Sequence, residues 1–196
     1  MRSTVPSTVP GEPAPIDWLD ETEVQRVRAA LERRTRFPEP AGPIEQVQTH
    51  ISTVLLTPRY VFKFKRPVDV GFADFSTLAL RERFCRAELR LNRRLAPGVY
   101  LDVLPLTRVA DGYALAGSGP VVDWCVVMTR LDPARMLDQR LRAGDIAPEE
   151  IDALAARLAD FHRDAAGGPA VARFGGPATV RGNWDENFRQ TEPFVG

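Results

Sequence analysis

Two lysines and one glutamate are the residues of this chain best suited to chemistry. Of its 26 basic residues, 24 are Arg and two are Lys, Lys63 and Lys65. Both lie in the segment Tyr60-Val-Phe-Lys-Phe-Lys-Arg66. A lysine ammonium is a compact point charge, whereas a guanidinium is a planar fork. A segment that keeps Lys in an Arg-biased chain therefore marks a place where a point charge is wanted, for which a phosphate group is a natural partner. Glu88 supplies the matching carboxylate, able to keep an ammonium aimed and ionised. The plain alternative is a surface strand carrying solvated lysines in a sequence that favours Arg by chance.

The elements around these residues would have to bring them together. Residues 44–49, 52–56 and 60–65 are short and rich in apolar, aromatic or β-branched residues, with a turn at Thr57-Pro-Arg59, and they predict three strands. Side chains alternate along a strand, so Lys63 and Lys65 share one face of the third. Asp74-Phe-Ser-Thr77 precedes a helical pattern. Ser76 or Thr77 can cap a helix over 78–95, with Arg81, Phe84, Cys85, Glu88, Leu91, Asn92 and Leu95 along one face and Pro97-Gly98 at its end. Such a helix lying on the sheet would carry Glu88 to the lysines.

Upstream, residues 1–15 read as a disordered Pro/Ser/Thr-rich tail, residues 16–36 as an N-terminal amphipathic helix and Phe37–Pro43 as a linker. Downstream, residues 99–106, 112–116 and 121–129 predict three further strands. Helices are expected over 134–142 and 148–163, the latter begun by Pro148, and again from about Ala178. The fold class expected is α+β: an antiparallel sheet with one long packed helix, then helices only.

Composition narrows the function. Formal net charge is zero, which gives no electrostatic support to a nucleic-acid or membrane-surface role. No apolar run is long enough for a transmembrane helix, and the first residues lack a signal-peptide pattern. The expectation is a cytoplasmic protein with no nucleic-acid or membrane partner. Cys85 and Cys125 sit in apolar patterns and are expected as buried free thiols. Neither His50 nor His162 has a Cys or His neighbour at metal spacing, so a zinc site is not expected.

A lysine on the third strand and a glutamate in the following helix is the arrangement by which kinase folds hold ATP. The stretches Thr49-His-Ile-Ser52, Val61 to Leu78, Arg81, and Arg86-Ala-Glu-Leu-Arg-Leu-Asn-Arg-Arg-Leu-Ala-Pro97 resemble a bacterial branch of the aminoglycoside phosphotransferase family. Tyr100-Leu-Asp-Val-Leu-Pro105, Val126-Val-Met-Thr-Arg-Leu131 and Leu158-Ala-Asp-Phe-His162 continue the likeness. It runs from about Glu45 onward and is most specific between Lys63 and Pro97. In this branch the kinase-like domain is sometimes followed by a P-loop ATPase domain.

The resemblance implies a kinase-like N-lobe with its hinge over 44–131 and a partial helical C-lobe over 132–196. It implies ATP as cofactor, with Mg²⁺ and a small-molecule hydroxyl acceptor in the complete protein. Lys63 resembles the phosphate-contacting lysine, with Lys65 its rival on the same face, and Glu88 resembles the helix glutamate. The turn at 49–53 would cover the phosphates. It has no Gly, so contact there would come from backbone N–H groups or from the Ser52 and Thr53 hydroxyls. Met128, Thr129, Arg130 and Leu131 resemble the hinge whose backbone would bond adenine.

Other motifs carry less. His162-Arg163-Asp164 spells the start of a protein-kinase catalytic loop, but position 169, where the motif needs Asn, is Pro. His162 reads instead as a capping or packing residue. The family's His-Gly-Asp motif and later metal-binding Asp do not occur, nor does a Walker A pattern. The expectation is the nucleotide-binding front of a phosphotransferase, inactive alone. The alternatives are a non-catalytic nucleotide- or partner-binding module, and a structural α+β domain with ordinary charges.

Overall fold

The computed structural model describes residues 11–33, 36–38 and 40–192. They fall into two compact units that divide between Ala143 and Gly144. The first contains helix α1 (Glu21–Glu32), strands β1 (Glu45–Gln48), β2 (Ser52–Leu56) and β3 (Tyr60–Lys65), helix α2 (Leu78–Asn92), strands β4 (Tyr100–Val109), β5 (Gly112–Leu115) and β6 (Val121–Thr129), a 3-10 turn and helix α3 (Leu137–Ala143). All six strands join one antiparallel sheet in the order β1-β2-β3-β6-β4-β5. The α+β class expected from the sequence is what the chain adopts.

The sheet is covered on both faces. On one, α1 brings Val24, Val27, Ala30 and Leu31 down onto Leu55, Phe62, Phe64, Leu104 and Leu106. Trp18 meets Phe64 with ring centroids 4.9 Å apart. These side chains are lost to water almost completely, each worth about 1.5–3 kcal/mol of transfer free energy for a Val, Leu or Phe. The N-terminal helix therefore shares a core with the strands instead of standing apart as its own segment. Of the tail, residues 1–10 lie outside the described residues. Glu12, in the remainder, accepts a hydrogen bond from the N–H of Leu78 at 3.1 Å.

The opposite face carries α2, through Cys85 with Val103 and Val126, flanked by Leu89, Tyr100, Trp124 and Met128. Thr77 caps the helix, its hydroxyl accepting from Leu80 N–H at 3.2 Å. The loop before it, residues 66–77, folds back on itself through an Asp69–Asp74 bridge, with Gly71 at φ +84° where a side chain would be strained. The expected helix face runs differently at its C-terminal end. Leu91 and Leu95 are exposed, and Leu89 packs on the sheet in their place. The helix also stops at Asn92, three residues short of Leu95.

One contact on this face is unusual in kind. Arg81, 2% exposed, donates from Nε to Asp123 Oδ1 at 2.8 Å and from Nη1 to the carbonyls of Phe75 and Ser76 at 3.2 and 3.1 Å. Asp123 Oδ1 also accepts from Trp124 N–H, while Oδ2 has no partner. Burial with one oxygen unsatisfied outweighs the nearby guanidinium and pushes the carboxyl up to about 6 from 3.8.

Residues 144–192 contain helices α4 (Pro148–Arg163), α5 (Pro169–Gly175) and α6 (Pro177–Thr191). The sequence predicts α4 with these bounds and α6 to within a residue at its start, whereas it predicts no helix where α5 forms. Three Pro residues at first helical positions mark these starts. Among the described residues of this unit none is buried. Ile151, Leu154, Val180, Trp184 and Phe188 are all exposed.

The Arg81–Asp123 pair yields a stability prediction. Arg81→Met strands a buried carboxylate and should cost about 3–5 kcal/mol at pH 7. Arg81 is what holds the Asp123 carboxyl down to about 6, so without it the folded variant keeps that proton to higher pH than wild type, gains more from acidification, and its deficit should shrink as pH falls from 7 toward 6 and level off below. Urea denaturation at pH 7 and pH 5 reads both effects. An equal deficit at the two pH values would count against this account.

Candidate functional site

Strand register decides which side chains can meet. Lys63 pairs with Val54 on β2 and Val126 on β6, and Lys65 pairs with Ser52. Cross-strand partners point the same way, so Ser52, Val54, Lys63 and Lys65 share the face that carries α2. Glu88 stands on α2 two helical turns beyond Arg81. It takes one lysine on each oxygen: Lys63 Nζ lies 2.8 Å from Oε1 and Lys65 Nζ 2.7 Å from Oε2. The two lysines of the chain thus converge on one carboxylate.

The two contacts differ in burial. The Lys65 side chain is 8% exposed and that of Lys63 30%, with Glu88 at 13%. Lys65 Nζ also sits 4.9 Å from the centroid of the Phe75 ring, a favourable cation–π placement. Burial alone would raise the Glu88 pKa. The two ammoniums, Lys65 foremost, outweigh it and hold the carboxyl below its ordinary value. Cys85, one turn earlier on α2, is pushed up to about 12 by burial, so its thiol stays protonated and unreactive. Burial likewise pushes the Cys125 thiol well above its usual range. Both cysteines are free, as expected.

The β1–β2 turn is tight and uses its own polar groups. Thr49 N–H donates to Ser52 O at 2.8 Å, and Ser52 N–H donates to Thr49 Oγ1 at 3.0 Å. Arg66 Nη1 donates to Thr49 O at 3.1 Å, tying the turn to the end of β3. The N–H groups of Thr49 and Ser52 are therefore engaged within the turn. Thr53, grouped with Ser52 in the sequence pattern, belongs to the other face. It pairs with Phe64, is fully buried, and its hydroxyl has no partner. The strand alternation that unites the lysines separates these two hydroxyls, and only Ser52 stays with Lys65.

At the other end of β6, Met128 pairs with Val61 and so shares the lysine face. Thr129 pairs with Tyr60, about 10 Å along β3 from Lys63. Thr129 N–H donates to Val99 O and Arg130 N–H to Arg59 O, both at 2.8 Å. Arg130 also reaches Thr57 O and Glu45 through its guanidinium. The N–H groups at 129 and 130 are thus engaged inside the sheet, and Leu131, 51% exposed, is the first residue past these bonds. His162 lies exposed in the last turn of α4, with its ring against that of its chain neighbour Phe161.

Arg81–Asp123 is a feature that the sequence pattern leaves unassigned. Its signal is an arginine on the sheet-facing side of a helix, a position that requires a buried acceptor. Two cavities, one of about 500 Å³ beside Pro38, Pro40 and Pro58 and one of about 430 Å³ between Arg26, Arg108 and Tyr113, contain none of the expected site residues. Among the described residues no cluster of His, Cys, Asp or Glu could hold a metal ion, and no helix is long and apolar enough to cross a membrane.

No protein-family model matches the chain, and no solved structure is significantly similar to it. Uncharacterised proteins of Mycobacterium bovis and of two strains of Mycobacterium tuberculosis are each 35% identical to it over 147 residues, 75% of this chain. The matched region is about 28% of the length of these curated relatives.

The double contact at Glu88 has a measurable consequence. Glu88→Gln leaves two ammoniums without their carboxylate and should lower stability by about 2 kcal/mol at pH 7. The folded carboxyl is depressed, so its stabilisation is present above the ordinary 4.5 and lost as pH falls through the folded value. Urea midpoints of wild type and variant should therefore converge as pH falls below 4.5 and through the lower folded value. A gap that stays constant with pH would rule out the ionised carboxylate as its source.

Proposed function

We propose that the Lys63–Lys65–Glu88 cluster grips the phosphates of a nucleotide, and that this chain is the ATP-binding front of a kinase-like phosphotransferase resembling the aminoglycoside phosphotransferase family. The observation that carries this reading is the charge count. Two ammoniums meet one carboxylate at a partly exposed locus, leaving one positive charge without a fixed counter-ion among the described residues. A phosphate oxygen would supply it. Two further features support the reading: the order of three strands, packed helix and returning strands, and the pairing of a β3 lysine with a glutamate on the helix that follows.

The remaining roles are those the resemblance implies. Ser52 would offer its hydroxyl beside Lys65, and Thr53 would take no part. Adenine would lie toward Met128–Leu131, where the backbone past Arg130 would bond it. ATP would supply the transferable phosphoryl group. Mg²⁺ finds no fitting carboxylate set among the described residues. The sequence contains no His-Gly-Asp motif, so no group is assigned to activate a small-molecule hydroxyl acceptor. On this reading the chain binds nucleotide in the cytoplasm and by itself transfers no phosphate. A second reading, a non-catalytic nucleotide- or partner-binding module, is favoured by the exposed apolar residues of α4 and α6.

A thermal-shift titration with MgATP tests nucleotide gripping. At a ligand concentration 100 times Kd, wild type should gain about 2.7 kcal/mol. Lys63→Met should abolish the gain. A wild-type melting temperature indifferent to millimolar MgATP, or an equal gain in the variant, would refute the reading.

A further inference from the structure

We propose that the two lysines have separate roles. Lys65 is a fixed positioning residue that keeps Glu88 charged and aimed, while Lys63 is the exchangeable ammonium that leaves Glu88 for an anionic ligand. The inference rests on the phosphate-gripping reading for the nature of that ligand, but the division itself is a property of the free chain.

The physical reason is the cost of an abandoned charge. An ammonium that turns from a carboxylate toward a phosphate leaves the carboxylate behind. At a site as enclosed as Glu88, a carboxylate left alone carries a heavy desolvation penalty. A single Lys–Glu pair would meet that penalty whenever the lysine moved. Here each carboxylate oxygen has its own ammonium, so the departure of one leaves the other in place.

The surroundings decide which one stays. Lys65 is 8% exposed and faces the Phe75 ring. Phe75 is itself 5% exposed and packs edge-on against Phe84 of α2 at 5.0 Å. Lys65 is thus walled in between the helix and the loop that leads to it. Lys63 is 30% exposed and keeps a route to solvent. The ranking of influences on Glu88 agrees, since the charge of Lys65 is the largest one favouring ionisation.

The chain holds two lysines, so ¹⁵N-lysine labelling gives a spectrum of two side-chain Nζ signals, assigned with Lys63→Met and Lys65→Met. In the free chain the Lys65 ammonium should exchange its protons slowly and Lys63 quickly. MgATP or inorganic tripolyphosphate should move the Lys63 signal and leave that of Lys65. In Lys65→Met, Lys63 becomes the sole counter-ion. Its proton exchange should slow, and its affinity for either probe should fall about tenfold, the loss expected for one charge-assisted bond. Lys65→Arg should restore most of that affinity, and it takes the place of Lys65→Met in assigning the two signals if the latter unfolds. Equal exchange rates in the free chain, or a probe that moves Lys65 and not Lys63, would overturn the division. If neither signal moves with either probe while the exchange rates differ as stated, the division stands and the phosphate reading falls.

Discussion

The seating of α2 on the sheet is the constraint on which the rest depends, and it is made as much by charge as by apolar contact. Two acid–base contacts fix the helix, one at Arg81 and one at Glu88, separated by two helical turns. Cys85, between them, and Leu89, just past Glu88, supply the apolar packing with Val103, Val126 and Trp124. Polar contacts of this kind are directional where apolar packing is not. They determine the rotation of α2 about its axis and its position along the sheet, and so whether Glu88 meets the lysines at all.

The two contacts are built differently. Arg81 and Asp123 are matched one to one and almost wholly buried, and the guanidinium directs its remaining donors at backbone carbonyls. Nothing there faces outward. Glu88 is matched with two cations, one of which keeps nearly a third of its side chain in contact with solvent. The first resembles an anchor closed on itself and the second an anchor with one hand free. A helix held at both ends but open at one of them can present a charge without shifting as a body.

Much of this is legible in the sequence, and the legible parts share a cause. The β2, β3 and β6 bounds and the convergence of Lys63, Lys65 and Glu88 follow from local rules: strand alternation, a Thr cap and a three-residue turn containing Pro. What is not legible depends on which strands become neighbours. Ser52 and Thr53 look equivalent in the primary order, and their separation onto opposite faces is decided by pairing with Lys65 and Phe64. Asp123 sits in the apolar run of β6 and gives no sign of its partner until the sheet places β6 beneath α2. Leu89 packs where Leu91 does not because it stands four residues beyond Cys85, about 40° around the helix, whereas Leu91, six residues beyond, is turned about 120° away.

The plain alternative, that the lysines are ordinary solvated charges, can be weighed on energy. A solvated pair would lie at the rim and add little to stability. Lys65 at 8% exposure is not at the rim, and placing it there costs desolvation that a Leu or Val at the same position would avoid. A second cation beside a carboxylate that already has one adds repulsion between the ammoniums as well. Neither cost is offset by folding alone, since one lysine would suffice to neutralise Glu88. Both costs fall when an anion completes the arrangement, because two carboxylate oxygens, two ammoniums and a phosphate oxygen then form a cluster without an unmatched charge. That balance, more than the likeness of any short motif, is the physical reason behind the proposal that this face of the sheet binds a phosphorylated ligand.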